Sequence, residues 1–251
     1  MQLDFKNVKI WIEDDYEKMS AVCADVIKTQ MLTKPSSNIG FATGGTPVGT
    51  YKALIGMCNR KEIDFSGISA YNLDEYYPIL KSDSQSYDYF MKDNLFNHVN
   101  IPKDRLFIPN GEAKDIAVEC VEYEKCVLDA NVDLQILGLG LNGHIGFNEP
   151  GAAFTGKTNY IHLDESTIQA NARFFEKYED VPKNAITMGI KTIMLAKKLL
   201  IMISGANKAD IAEKVFFGDI TPQVPASVLQ LHQDVVAVLD KEAGSKILKR
   251  I

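Results

Sequence analysis

Short apolar runs rich in β-branched residues alternate with longer helical stretches along most of the chain, and this alternation restricts the folds open to it. VKIWI is followed by an amphipathic stretch from Asp14 to Thr33, then by NIGFAT and a second helical stretch after Thr46. The later runs are ISAYNL, RLFI, VDLQILGL, AITMGI, LLIMIS and VVAVL, mostly separated by enough residues for a crossover helix. The pattern predicts a mostly parallel sheet.

Runs such as QILGL and LLIMI are apolar at consecutive positions, which is typical of strands covered by helices on both faces. We therefore expect an α/β fold, a three-layer sandwich with a mostly parallel, Rossmann-like sheet. No Pro/Gly/Ser linker divides the 251 residues, so residues 1–251 are interpreted as one domain. The rhythm weakens between Asn142 and Asn184, which predicts an active-site loop and a lid over about residues 151–185.

Composition excludes several classes of partner. The formal net charge of -6 argues against the basic surface that nucleic-acid binding requires. The four cysteines show no CxxC spacing and no nearby histidine cluster, so we expect reduced thiols and no metal site. The N-terminal segment does not resemble a signal peptide, and no apolar run approaches the roughly 20 residues that span a bilayer. A cytoplasmic protein that does not bind membranes is expected.

Ligands of open α/β sheets bind beyond the carboxyl ends of the strands, and four such ends carry unusual residues. After NIGFAT come Thr43, Gly44, Gly45 and Thr46, where Thr46 suits a helix N-cap and Pro47 the first helical position. Glycines allow close backbone approach, and a helix N-terminus attracts anions, which predicts a phosphate-binding turn. The alternative is an ordinary glycine turn. The turn is not a P-loop, since no Gly-Lys-Ser/Thr sequence follows it.

Two adjacent acids, Asp74 and Glu75, end the ISAYNL run. Successive residues of an extended chain face opposite sides, so only one of the two is expected to enter a given site. The alternative is a solvated acidic turn, because acids favour surfaces and turns.

The segment VDLQILGLGLNGHIGFNEPG contains a GxGxxG sequence, which raises a dinucleotide-binding alternative. That fingerprint requires a helix to begin at the turn, and further Gly and Pro residues interrupt the chain there. The segment also brings one histidine and one carboxylate close together, His144 and Glu149. A carboxylate bonded to one imidazole nitrogen leaves the other nitrogen for acid–base work near neutral pH. A purely structural histidine is the alternative.

The fourth strand end, LLIMISGANKAD, places Lys208 in the first turn of an expected helix. A cation there opposes the helix dipole at a cost of about 0.3–1 kcal/mol unless an anion compensates, which favours a phosphate ligand. Arg173, in the expected lid, is a candidate for a second, bidentate phosphate contact. Solvent exposure is the alternative reading for both side chains.

Six segments, in order and across most of the chain, resemble the glucosamine-6-phosphate deaminases: FATGGTPVGTY, NLDEYY, SYDYFMKDNLF, LGLNGHIGFNEPG, ANARFF and SGANKA. The related 6-phosphogluconolactonases share the fold and the glycine turn but differ after the histidine. The resemblance implies conversion of glucosamine 6-phosphate to fructose 6-phosphate and ammonia in amino sugar catabolism, without a cofactor. It also implies that Asp74 moves the proton from C2, that His144 assists ring opening, and that Glu149 supports His144.

Two departures from the family pattern bear on these expectations. Where some members have an aspartate two residues before the histidine, this chain has Asn142, which reduces a triad to a dyad with an amide beside it. Hexameric, allosterically activated members carry basic residues after NEP and a longer C-terminal tail, whereas here GAAFTGKTNYIH follows. We expect no activation by N-acetylglucosamine 6-phosphate, and a monomer or a small homo-oligomer.

Other functions remain open on the sequence alone. Lactone hydrolysis, or ketose–aldose isomerisation without ammonia release, would use the same scaffold. A sugar-phosphate-sensing domain of a transcriptional regulator would keep the phosphate turn without needing Asp74 or His144. The acidic balance weighs against that regulator.

Overall fold

A computed structural model describes residues 1–5, 7–172, 175 and 177–250. The strands span Gln2–Phe5 (β1), Val8–Glu13 (β2), Asn38–Phe41 (β3), Ser69–Asn72 (β4), Asp74–Tyr76 (β5), Leu106–Phe107 (β6), Leu134–Gly138 (β7), Asn159–His162 (β8), Asn184–Thr187 (β9), Leu199–Ile203 (β10) and Val235–Asp240 (β11). The α-helices span Tyr16–Thr33 (α1), Val48–Asn59 (α2), Tyr87–Asn94 (α3), Ile116–Ala130 (α4), Glu165–Asn171 (α5), Ile190–Met194 (α6) and Ala209–Phe217 (α7).

The main sheet has eight strands in the order β1-β2-β11-β10-β7-β3-β4-β6. Every neighbouring pair is parallel except β1 with β2, at one edge. All residues of β10 and β11 are buried, so both faces of these strands are covered, as the continuous apolar runs predict. The predicted α/β sandwich is confirmed.

One strand prediction is wrong in its partners. The AITMGI run forms β9, which lies outside the main sheet between β5 and β8 in a small antiparallel sheet. The prediction failed because a short apolar run indicates a buried strand but does not show which strands pair with it. The small sheet packs on a second core. That second core contains Tyr76, Ile79, Phe147, Leu163, Ile168, Val181 and Ala185.

The start of α2 also differs from the sequence expectation. The helix begins at Val48 with Pro47 at the N-cap, and the cap makes no side-chain hydrogen bond, so the prediction of Thr46 as N-cap is wrong. The hydroxyl of Tyr16, at the start of α1, instead accepts a hydrogen bond from the Gly49 amide at 2.8 Å. A distant tyrosine therefore satisfies an amide that a local cap would otherwise serve.

The sheet order explains why four strand ends form one site. β10, β7, β3 and β4 are consecutive neighbours in the sheet and run parallel, so their carboxyl ends lie at one edge. The residues after these strands are those that the sequence predicts as site residues.

None of the helices in the described part of the chain combines the length and the apolar character that a membrane span requires.

Candidate active site

A cavity of about 700 Å³ lies at the carboxyl ends of β10, β7, β3 and β4. Its lining brings together most of the predicted site residues: Thr43, Gly44, Gly45, Thr46, Asp74, Asn142, His144 and Lys208. Glu149 contacts this set from behind His144. Arg173, the expected second phosphate ligand, lies outside the described residues.

The turn after β3 presents backbone donors to the cavity. Gly44 has a φ of +97°, a conformation that glycine adopts without the strain of a side chain. Among the described residues, the amides of Gly44, Gly45 and Thr46 have no hydrogen-bond acceptor. The Tyr16 hydroxyl lies 3.2 Å from the Gly45 carbonyl and 3.1 Å from the Thr46 carbonyl, which fixes the turn from below. This arrangement suits an anion such as phosphate.

Lys208 lines the same part of the cavity. It lies immediately before α7, at the N-cap position, rather than in the first turn as predicted. Its Nζ donates to the Leu139 carbonyl at 2.6 Å, which holds the ammonium group beside the loop after β7. The preceding turn is itself fixed, because Asp240 accepts hydrogen bonds from the Ser204 hydroxyl at 2.5 Å and the Gly205 amide at 2.9 Å.

Asp74 and Glu75 diverge as expected of neighbours on a strand. Asp74 lines the cavity, whereas Glu75 faces α3. The Glu75 carboxylate accepts hydrogen bonds from the amides of Tyr76, Tyr87 and Asp88 at 2.8–2.9 Å, two of which open α3. Glu75 is therefore a helix-capping group, and Asp74 is the acid available to a ligand.

Asp74 is an isolated buried carboxyl group. Its exposure is 6%, and within the described part of the chain no donor hydrogen-bonds to its side chain. Tyr87 and Phe147 line the cavity with it. Burial, and secondly the charge of Glu75, raise the pKa of Asp74 to about 8. Such a group can exchange a proton near neutral pH.

His144, Glu149 and Asn142 form a hydrogen-bonded network in the loop after β7. His144 Nδ1 lies 3.2 Å from Glu149 Oε2, and that same oxygen accepts from Asn142 Nδ2 at 2.6 Å. Asn142 Oδ1 accepts from the His144 amide at 3.2 Å. Asn142 thus ties the histidine backbone to the carboxylate without adding charge. With Nδ1 facing Glu149, Nε2 remains for a ligand.

The His144 ring packs so closely on the backbone of this loop that position 140 requires glycine. A Cβ added to Gly140 would lie 2.4 Å from the His144 ring, so the imidazole occupies the space that any other side chain would fill. The residues between 139 and 158 form turns and no helix. The GxGxxG sequence therefore lacks the helix that dinucleotide binding requires, in agreement with the sequence argument.

Opposing effects act on the pKa of Glu149. Burial alone would raise its pKa, but hydrogen bonds and charge from His144, together with hydrogen bonds from Thr167 and Asn142, lower the pKa below its ordinary value. Glu149 is therefore an anion that orients His144. Among the residues that the structure describes, no three His, Cys, Asp or Glu side chains are placed to hold a metal ion.

Sequence reasoning missed two residues of the site. Thr167 in α5 donates to Glu149 Oε1 at 2.5 Å and lines the cavity, and Tyr16 holds the glycine turn. Neither position carries a local signal. Thr167 is one of several polar residues in a helical stretch, and Tyr16 acts on residues about 30 positions away.

The fold and site define an α/β protein of the enzyme type, with an anion-binding turn and acid–base groups at the carboxyl ends of parallel strands. Residues 12–238 match the family described as glucosamine-6-phosphate isomerases/6-phosphogluconolactonase, and the chain belongs to this family.

Within this family, the chain is similar in sequence to glucosamine-6-phosphate deaminases. A glucosamine-6-phosphate deaminase of Clostridium botulinum (strain Loch Maree / Type A3) is 49% identical over 241 residues, covering 96% of this chain and 99% of that protein. The protein of the same name from Clostridioides difficile (strain 630) is also 49% identical, over 96% of this chain and 97% of its own.

Solved structures of related proteins have a similar fold. A monomeric glucosamine-6-phosphate deaminase matches with a TM-score of 0.92 at 43% identity, covering 94% of this chain and 99% of its own. The 6-phosphogluconolactonase from Trypanosoma cruzi matches with a TM-score of 0.75 at 18% identity, covering 98% of each chain, a likeness of fold alone.

Proposed function

We propose that the protein isomerises and deaminates glucosamine 6-phosphate, converting it with water to fructose 6-phosphate and ammonia. The observation that carries this proposal is the composition of one cavity, which joins an anion-binding turn and Lys208 to a buried carboxyl group, Asp74, and to His144. The deaminases that are 49% identical over nearly their full length support it.

The anion-binding groups hold the substrate at a distance from the reacting carbons. The amides of the Thr43–Thr46 turn and the Lys208 ammonium group bind the phosphate, and Arg173 is retained as a proposed further ligand from the sequence. Binding energy from the phosphate then positions C1 and C2 at Asp74 and His144.

His144 assists ring opening. Its Nε2, with Nδ1 held towards Glu149, takes the proton of the C1 hydroxyl and delivers it to the ring oxygen, so that the C1–ring oxygen bond breaks and the cyclic hemiacetal becomes the open aldehyde. Asn142 and Glu149 keep the ring in position. The carboxylate also stabilises the positive charge of the imidazolium form.

Asp74 moves the proton. It takes the proton from C2 while the aldehyde oxygen gains a proton from the substrate ammonium group, giving an enolamine, and it then returns the proton to C1, which leaves a protonated imine at C2. Water adds to that imine, ammonia leaves, and the C2 ketone of fructose 6-phosphate remains. Because its pKa is raised, the Asp74 carboxyl group of the free enzyme is mostly protonated at neutral pH. The substrate ammonium group at C2 brings a positive charge to the carboxyl group and favours its ionised form.

The cellular setting belongs to the same proposal. Four free cysteines fit a reducing compartment, and we place the enzyme in the cytoplasm. We also propose a monomer or small homo-oligomer of a single domain, with residues 151–185 acting as a lid, and no activation by N-acetylglucosamine 6-phosphate. The monomeric deaminase at 43% identity supports the small assembly. A sigmoidal rate curve straightened by that compound would refute the regulatory part.

The deciding experiment incubates the purified protein with glucosamine 6-phosphate and measures ammonia and fructose 6-phosphate together. We expect one of each per substrate consumed. Unphosphorylated glucosamine and 6-phosphogluconolactone serve as comparison substrates, and we expect both to be poor. Hydrolysis of the lactone in preference to release of ammonia would overturn the proposal.

A further inference from the structure

Thr167 contacts the proposed acid–base pair from a part of the molecule outside the main sheet. We propose that Thr167 is a positioning residue, whose hydroxyl fixes the Glu149 carboxylate so that it faces His144. This inference rests on the function proposed above, and it adds to the site a residue that touches no reacting atom.

The two oxygens of Glu149 have separate partners. Oε2 accepts from Asn142 at 2.6 Å and faces His144 Nδ1 at 3.2 Å, while Oε1 accepts from the Thr167 hydroxyl at 2.5 Å. Loop residues alone would hold one oxygen and leave the carboxylate free to turn about that point. The Thr167 bond supplies the second fixed point, which sets the plane of the carboxylate.

The position of Thr167 depends on the second core. Thr167 is 4% exposed, and its neighbour Ile168 is 3% exposed within the cluster that contains Tyr76 and Phe147. The Thr167 and Ile168 amides both donate to the Asp164 carbonyl at 2.9 Å, which fixes the start of α5. Packing of α5 on this core therefore delivers the hydroxyl to a carboxylate on a main-sheet loop.

The charges around Glu149 define the expected pH response. His144 from the loop after β7 stabilises the carboxylate, while Asp164, immediately before α5, carries a pKa raised by burial and by the charge of Glu149. The Thr167 hydroxyl adds an uncharged donor that favours the ionised form of Glu149. Removing that donor should raise the pKa of Glu149.

The test compares Thr167→Val and Thr167→Ala, which remove the hydroxyl, with Thr167→Ser, which keeps it. Thr192→Val is the matched control, because Thr192 is also buried and its hydroxyl donates to a buried glutamate, Glu124, at 2.9–3.0 Å outside the site. The readouts are the titration of the Glu149 carboxyl by ¹³C NMR and the separate kcat and KM values. Glu149→Gln assigns that signal.

We expect Thr167→Val and Thr167→Ala to move the titration of the Glu149 carboxyl upward by about one pH unit, the size of a lost hydrogen bond to a charged group. We expect kcat to fall about tenfold with little change in KM, and Thr167→Ser to retain wild-type behaviour. Thr192→Val should lower thermal stability only.

An unmoved titration of the Glu149 carboxyl in both variants that lack the hydroxyl, or an equal shift in Thr192→Val, would overturn the role. The carboxyl titration needs no substrate. An inactive wild-type protein would therefore refute the proposed function while still leaving Thr167 to be judged.

Discussion

The two ends of the cavity are built by opposite means. The anion end uses backbone amides of a partly exposed turn and the half-buried Lys208, all on loops of the main sheet. The acid–base end uses Asp74, which is buried and belongs to the small sheet, and His144 with its buried partner Glu149. Partly exposed donors bind an anion at little cost to folding, whereas a buried carboxyl group without a partner lowers stability and gains reactivity. The comparison predicts that changes at the two ends affect KM and kcat separately.

The largest expected effect is that of Asp74→Asn. The amide keeps the shape of the side chain but cannot accept the C2 proton, so we expect kcat to fall by about 10³-fold, within the range of general-base contributions. KM should change little, because the phosphate end is intact. The check is steady-state kinetics together with exchange of the C2 proton with deuterium from solvent.

Retained exchange in Asp74→Asn would show that another group is the base. The structure directs that search away from Glu75, since its carboxylate is occupied by three backbone amides, two of them at the start of α3. His144 is the next group to test.

The second effect belongs to the anion end. Lys208→Met removes the ammonium group while keeping a long side chain, and we expect KM for glucosamine 6-phosphate to rise by about 10- to 100-fold, the size of a charge-assisted hydrogen bond. Inhibition by inorganic phosphate should weaken in parallel. Lys214→Met, an exposed change in α7, is the control. A fall in kcat with unchanged KM would contradict the separation of the two ends.

The inner strands of the main sheet could be predicted because they are apolar runs, and following each run to its end led to the site. The edge strands differ, since β1 alternates between exposed and half-buried residues and β6 has only two residues. The small sheet could not be predicted in the same way. β5 is only three residues, Asp74–Tyr76, and β8 alternates between half-buried and exposed positions without an apolar run. The Thr167 contact joins residues 18 positions apart, and only the packing of α5 on the second core creates it.

The buried carboxyl group also predicts a pH-dependent gain of stability in Asp74→Asn. The pKa of Asp74 is about 8 in the folded protein against 3.8 for the ordinary group, so between these values the unfolded chain loses a proton that the folded chain keeps. Wild-type stability therefore falls as pH rises through this window, by at most about 1.4 kcal/mol per pH unit from this group. Asp74→Asn removes this loss, and we expect a gain in stability that is largest at pH 8 and shrinks towards pH 4.

Asp133→Asn provides the opposite case. Asp133 is paired with Lys34 and Lys197 at 2.6 and 2.7 Å, and these partners, against the effect of burial, lower its pKa. Its stabilisation is present above its unfolded pKa and is lost as pH falls. Urea unfolding at pH 5 and pH 8 should show Asp133→Asn less stable and Asp74→Asn more stable than wild type at the higher pH. Equal shifts of one sign would contradict the assignment of Asp74 as a destabilising acid.

The smallest expected effect tests whether support of the glycine turn belongs to the anion end. The Tyr16 hydroxyl accepts from the Gly49 amide and lies within hydrogen-bonding distance of the Gly45 and Thr46 carbonyls, so Tyr16→Phe loosens the turn without removing a phosphate donor. Loss of neutral hydrogen bonds worth about 0.5–1.5 kcal/mol should raise KM about two- to tenfold and leave kcat unchanged. Tyr89→Phe, on an exposed tyrosine of α3, should leave both constants unchanged. If Tyr16→Phe lowered kcat instead, the turn would also position the reacting carbons, and the two ends would act as one unit.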